Sequence, residues 1–127
     1  MTFLDKYQSQ LLAILRIVAG LLFLEHGCVK LLHFPISMPI PPGNIGMILM
    51  VAGTIELIGG ALITIGLFSR IAAFIASGEM AIGYWIVHVP KGGLWPAING
   101  GGEAILFCFL FLYLAAAGPG AWALNRR

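Results

Sequence analysis

The sequence predicts an all-α protein: an integral membrane bundle of four antiparallel helices in a single domain, residues 1–127. Three observations predict it. Of the 127 residues, 60% are hydrophobic and 9% charged, against about 25% charged in an ordinary soluble domain. Mean hydropathy is +0.98. Proline- and glycine-rich breaks divide the chain into four apolar stretches, most of them near the roughly 20 residues that a bilayer-crossing helix needs, with little left over for a soluble domain.

The first stretch, 11–32, lacks a small-residue cleavage site behind a short apolar core and is expected to remain a helix. It ends where Leu31, Leu32, His33 and Phe34 meet Pro35, Pro39, Pro41 and Pro42, which cannot continue a helix. The second, 45–68, reaches Ser69 and Arg70, whose polarity predicts a tight turn into the third, 71–89, so that these two form a hairpin. Pro90 then opens a glycine-rich loop, 91–101, expected to be irregular and holding Trp95, Pro96 and Asn99. The fourth, 102–117, stops at Gly118, Pro119 and Gly120.

Four crossings bring both termini to one end. That end holds Lys6, Arg16, Arg70, Arg126 and Arg127, and the other holds Lys30 and Lys91, which favours cytoplasmic termini in a bacterial-type inner membrane. Trp85 and Trp95 then anchor at the far interface. The net charge of +2 comes mostly from ends and short loops, so nothing argues for nucleic-acid binding.

Each stretch carries glutamate: Glu25, Glu56, Glu79 and Glu103. An acidic side chain near the bilayer centre costs roughly 2.5–3.5 kcal/mol on insertion scales, so its retention points to function. At about 1.5 Å rise per residue, Glu56 and Glu79 lie near mid-membrane on consecutive helices. Glu25 and His26 lie about 10 Å in from the far boundary, and Lys30, His88 and Glu103 lie nearer to it. Helical spacing puts Arg16, Gly20, Phe23, Gly27 and Lys30 on one face, Gly46, Gly53, Glu56 and Gly60 on another, and Ala72, Ala76, Glu79 and Gly83 on a third. Small residues let backbones approach, so these faces should point into the bundle.

Two readings of the charges stand open. They can neutralise one another as buried pairs, such as Glu56 with Arg16 or Glu103 with Lys30, and specify packing. Alternatively, Arg16 snorkels to the near interface and Lys30 to the far one, leaving Glu56 and Glu79 without a cation. Carboxyls so placed can take or release a proton when a ligand arrives. Metal binding is disfavoured, because no helix carries a Glu-x-x-His pair. Cys28 and Cys108 read as packing residues, and no covalent haem or flavin motif occurs.

The motifs Arg16 with Gly20-Leu21-Leu22-Phe23, Gly27 and Lys30, then Glu56-Leu57-Ile58-Gly59-Gly60, Gly66-Leu67 and Arg70-Ile71-Ala72-Ala73, resemble those of the DoxX family of small four-helix membrane proteins. His88, the run Asn99-Gly100-Gly101-Gly102-Glu103 and Gly118-Pro119-Gly120 with Leu124-Asn125 extend the resemblance over nearly the whole chain. The resemblance implies a redox setting, since the family takes its name from membrane subunits of a thiosulfate:quinone oxidoreductase and other members are linked to thiol and oxidative-stress systems. Arg16, Lys30, Glu56, His88 and Glu103 fall on family-pattern positions, whereas Glu25, His26 and Glu79 rest on the depth argument.

With the redox setting that the resemblance implies, the expectation is a redox-associated membrane subunit that binds quinone and supports electron transfer from a sulfur or thiol donor through a partner protein. Glu56 and Glu79 are its candidate proton-exchanging groups, and Arg16, Glu25, His26, Lys30, His88, Asn99 and Glu103 its candidate ligand-binding set. The alternative is a non-catalytic accessory or scaffold subunit. The partners implied are the lipid bilayer and either other membrane or redox subunits or further copies of the chain.

Overall fold

A computed structural model of the protein describes residues 1–127. Its regular structure is all helical. A 3₁₀ turn, Thr2–Tyr7, leads into α1, Gln8–Leu31. The amide of Leu32 still bonds to Cys28 O at 2.8 Å, but His33 enters the left-handed region at φ 56° and the proline loop begins.

α2 spans Asn44–Ile65, three residues short of the predicted end. Gly66 explains the difference, because it takes φ 71° and its neighbour Leu67 donates to Leu62 O at 3.0 Å, closing the helix in a Schellman-type cap. A Cβ on Gly66 would also come within 2.7 Å of Ala123 Cα. The turn is therefore 66–68, and Ser69 and Arg70 already belong to α3, Ser69–Gly83. α3 runs on through a π-helical turn, Tyr84–His88, into Val89–Gly92. Part of the loop expected to be irregular is thus helical, including a single turn at Pro96–Asn99. α4 spans Gly102–Ala117.

Thr2–Leu31, Asn44–Ile65 and Ser69–Gly92 are long and apolar enough to cross a bilayer, and α4 is a shorter apolar helix of 16 residues. At 1.5 Å per residue α4 covers about 24 Å, against a hydrocarbon core of about 30 Å.

Lipid is as apolar as leucine, so close packing rather than the hydrophobic effect holds such helices together. α1 and α2 meet backbone to backbone along a glycine seam. A Cβ on Gly20 would lie 2.8 Å from Thr64 N, one on Gly27 2.8 Å from Leu57 Cα, and one on Gly60 2.7 Å from Leu24 Cα. Gly20 and Gly27, like Gly53 and Gly60, are seven residues apart, two turns along one face. The core continues across to α3 and α4 through Ala72, Ala73, Ala76, Phe107, Phe111 and Leu114. Phe23 of α1 closes it, with its ring 4.8 Å from that of Phe111 and 5.7 Å from that of Phe107.

At the terminal end, residues 118–127 fold back under the bundle. Ala121 N donates to Ser9 O, Asn125 N to Gly66 O, and Arg70 N to Arg127 O. The Arg70 guanidinium adds bonds to Ala115 O, Ala116 O and Arg126 O.

Candidate functional site

Arg16 sits on the inward face of α1 one turn before Gly20 and is wholly buried. Its guanidinium donates to Pro119 O, to Ala121 O at 3.1 Å and to Trp122 O at 3.2 Å. It neither snorkels nor meets Glu56. Three backbone carbonyls occupy it, and its work is to hold the tail.

Lys30 also departs from the snorkelling expectation. Its stem packs beside Gly53, where the missing side chain leaves room, and its ammonium turns inward to donate to both oxygens of Glu56, at 2.6 and 2.7 Å. Glu56 is 0% exposed. The carboxyl of Glu79 reaches the same place from α3 and lies against that of Glu56, within the field of Lys30. Its Oε2 is buried and has no hydrogen-bond partner. The ammonium bonds one carboxyl and leaves its neighbour with a buried, unpaired oxygen, an arrangement that can hold a proton between the acids.

His26, Glu103 and Glu25 lie toward the distal end. His26 Nε2 lies 2.7 Å from Glu103 Oε1, and its Nδ1 is 2.7 Å from Leu22 O. Glu103 falls in the first turn of α4, where the helix dipole favours an acid. Glu25 is exposed and enters neither of the two ion pairs in the chain.

A groove of about 240 Å³ opens between α1 and the proline loop, lined by Glu25, His26, Val29, Lys30, Ile36 and Met38. A second, of about 340 Å³, lies round the helix from it, with Glu25 in both walls and Cys28 in its own. Both cysteines are free thiols.

His88 and Asn99 lie apart from this cluster, in a polar knot beneath the distal turn. The buried Asn99 donates through Nδ2 to Gly93 O at 2.8 Å and to Tyr84 Oη at 3.1 Å, and it accepts from Gly101 N at 2.8 Å. Tyr84 Oη donates on to Leu94 O at 2.7 Å, and His88 Nδ1 to Asn99 O at 3.2 Å. The π turn lets Tyr84 and His88 stack with centroids 6.2 Å apart. These partners engage both donors and the oxygen of the Asn99 amide, which organises the distal segment rather than the groove.

Of the sequence-predicted set, the fold brings together Lys30, Glu56 and Glu79, and beside them Glu25, His26 and Glu103. Arg16 is at the opposite end. The sequence reasoning missed Tyr84 and the groove wall of Ile36 and Met38. Tyr84 carried one weak signal, a hydroxyl at the end of an apolar helix, and the loop residues carried none.

Apolar helices on this scale, packed through glycine faces around buried charge, define a multi-pass membrane protein. A family model, DoxX, matches residues 11–89, and the chain belongs to the DoxX family. It is 49% identical over 127 residues to an uncharacterized protein of Haemophilus influenzae strain Rd, a match covering 98% of this chain and 95% of that one. No solved structure matches.

Proposed function

We propose that the chain is a redox-associated subunit of a bacterial-type inner membrane, with both termini cytoplasmic, that binds a quinone in the groove beside Lys30 and works with a partner protein supplying electrons from a sulfur or thiol donor. The observation that carries the reading is the position of Lys30, which lines the groove and also bonds Glu56. Groove and buried carboxyls are therefore one hydrogen-bond step apart. A quinone ring has two carbonyl acceptors and exchanges protons as its redox state changes. Val29, Ile36 and Met38 give the ring an apolar wall, Lys30 has one N–H left to donate, and Glu56 with Glu79 supply groups able to take up or release the proton. Arg16, His88 and Asn99 support the bundle at its two ends and are not part of this site.

The test is quinone content after solvent extraction and chromatography of the purified protein, beside a Glu56→Ala/Glu79→Ala double variant that remains folded. Stoichiometric quinone in the native protein and its loss in the variant is the expected result. Quinone absent from both overturns the reading.

A second reading, an accessory or scaffold subunit, is favoured by the pairing of Glu56, Glu103 and Arg16 with partners inside the chain. It predicts that exchanging the charges, Lys30→Glu with Glu56→Lys, disturbs assembly with other membrane proteins and alters no bound small molecule.

A further inference from the structure

The hydrogen bonds of His26 fix more than its orientation. Leu22 O is a carbonyl and can only accept, so the nitrogen 2.7 Å from it, Nδ1, carries a hydrogen. Nε2 then faces Glu103 Oε1 at 2.7 Å. With Nδ1 already protonated, a neutral ring presents a lone pair at Nε2, and an ionised Glu103 presents lone pairs in return. Two acceptors do not sit at 2.7 Å, so one proton must lie between them, on the imidazole or on the carboxyl. The contact is built around a proton.

Its surroundings give that proton two exits. Glu103 stands in the first turn of α4 with its side chain 63% exposed, at the distal end. His26 is 41% exposed and lines the groove with Lys30 and Glu25. The charged groups around the pair come from every helix. Glu25 and Lys30 share α1 with His26, Glu56 of α2 holds Lys30, Glu79 of α3 lies against Glu56, and Glu103 comes from α4. The Phe107 ring meets His26 edge to face at 5.9 Å, which keeps the imidazole plane in place.

From this geometry we infer that His26 and Glu103 form a proton-exchange site at the distal end of the bundle, loaded from the water beside Glu103 and able to pass its proton to an oxygen acceptor in the groove. The balance is simple. The bond from the proton to Nε2 or Oε1 breaks, one to the ligand oxygen forms, and a proton from water refills the pair. Exchange with water does not depend on what the groove binds, whereas delivery to a ligand rests on the groove reading above.

The test uses the full chain, ¹⁵N-labelled at histidine and ¹³C-labelled at the glutamate carboxyls, in lipid nanodiscs at neutral pH, with Glu103→Gln and His33→Gln as comparison variants. His33→Gln assigns the exposed histidine. The expected spectrum has His26 protonated at Nδ1, together with either a proton on Nε2 or a carboxylic-acid signal from Glu103. In Glu103→Gln that extra proton is lost and Nε2 becomes bare, while Nδ1 stays protonated. A neutral ring with its hydrogen on Nε2 and a bare Nδ1 overturns the inference, as does a native spectrum with neither an Nε2 proton nor a Glu103 acid signal, or an Nε2 proton that survives in Glu103→Gln. Adding a short-chain benzoquinone then shifts the His26 signals and leaves His33 unmoved. If the pair holds its proton and benzoquinone shifts nothing, delivery to a ligand and the groove reading fall, and the water-exchange site stands.

Discussion

Lys30 and Glu56 form the ion pair whose carboxylate is wholly shut away, with the ammonium 2.6 and 2.7 Å from its two oxygens. Two bonds from one ammonium to both oxygens of a 0%-exposed acid tie α1 to α2 at the point where the groove begins. Lys30→Met leaves Glu56 without its cation. The expected loss is about 3–5 kcal/mol, the cost of stranding one member of a buried pair, and adding Glu56→Leu recovers most of it. Reversible unfolding of the two singles and the double in mixed micelles gives the coupling energy directly.

The glycine seam predicts a sharp contrast between positions. Gly27→Ala and Gly60→Ala push a methyl into the facing backbone, and each should cost about 1–3 kcal/mol by overpacking. Gly78 faces open space, so Gly78→Ala should stabilise by roughly 0.5–1 kcal/mol through helix propensity. Thermal denaturation of the three variants in one detergent checks both signs.

Asn99→Ala removes the side chain that bonds Gly93 O, Tyr84 Oη and Gly101 N. Each buried polar group left alone costs about 1–3 kcal/mol. Because these groups all lie in the distal segment, the expected result is faster amide hydrogen exchange across residues 93–101, with protection in α1 and α2 unchanged.

Arg16 and the tail should behave as one unit. Arg16→Met, or deletion of residues 119–127, leaves the other partner with unmet hydrogen bonds. Together they should cost clearly less than the sum of the two singles, with an interaction energy of about 1–3 kcal/mol. Full additivity in the same unfolding assay would sever the link.

The helices, their order and their inward faces were legible because apolar runs, proline breaks and small-residue spacing are local. Gly20, Gly27, Gly53 and Gly60 were assigned to the packed side, and all four are buried. The partners of the charges were not legible. A lysine near the end of a membrane helix has a stem long enough to rise to the interface or to turn inward, and only the space beside Gly53 decides for Lys30. Arg16 was harder still, since its acceptors are backbone carbonyls, which every residue has and no sequence pattern marks. The π turn at Tyr84–His88 likewise has no spacing signature.

The tail bound by Arg16 also sets an order of events. The α1–α2 seam involves residues 20–64 and can zip as soon as both helices exist. Arg16 reaches its first acceptor only 103 residues downstream of itself, at Pro119. At about 5–20 residues per second of synthesis, that is roughly 5–20 s during which the guanidinium has none of its three carbonyl acceptors. The seam can therefore close well before Arg16 finds its acceptors, and any factor that chaperones this chain has its clearest task in that interval.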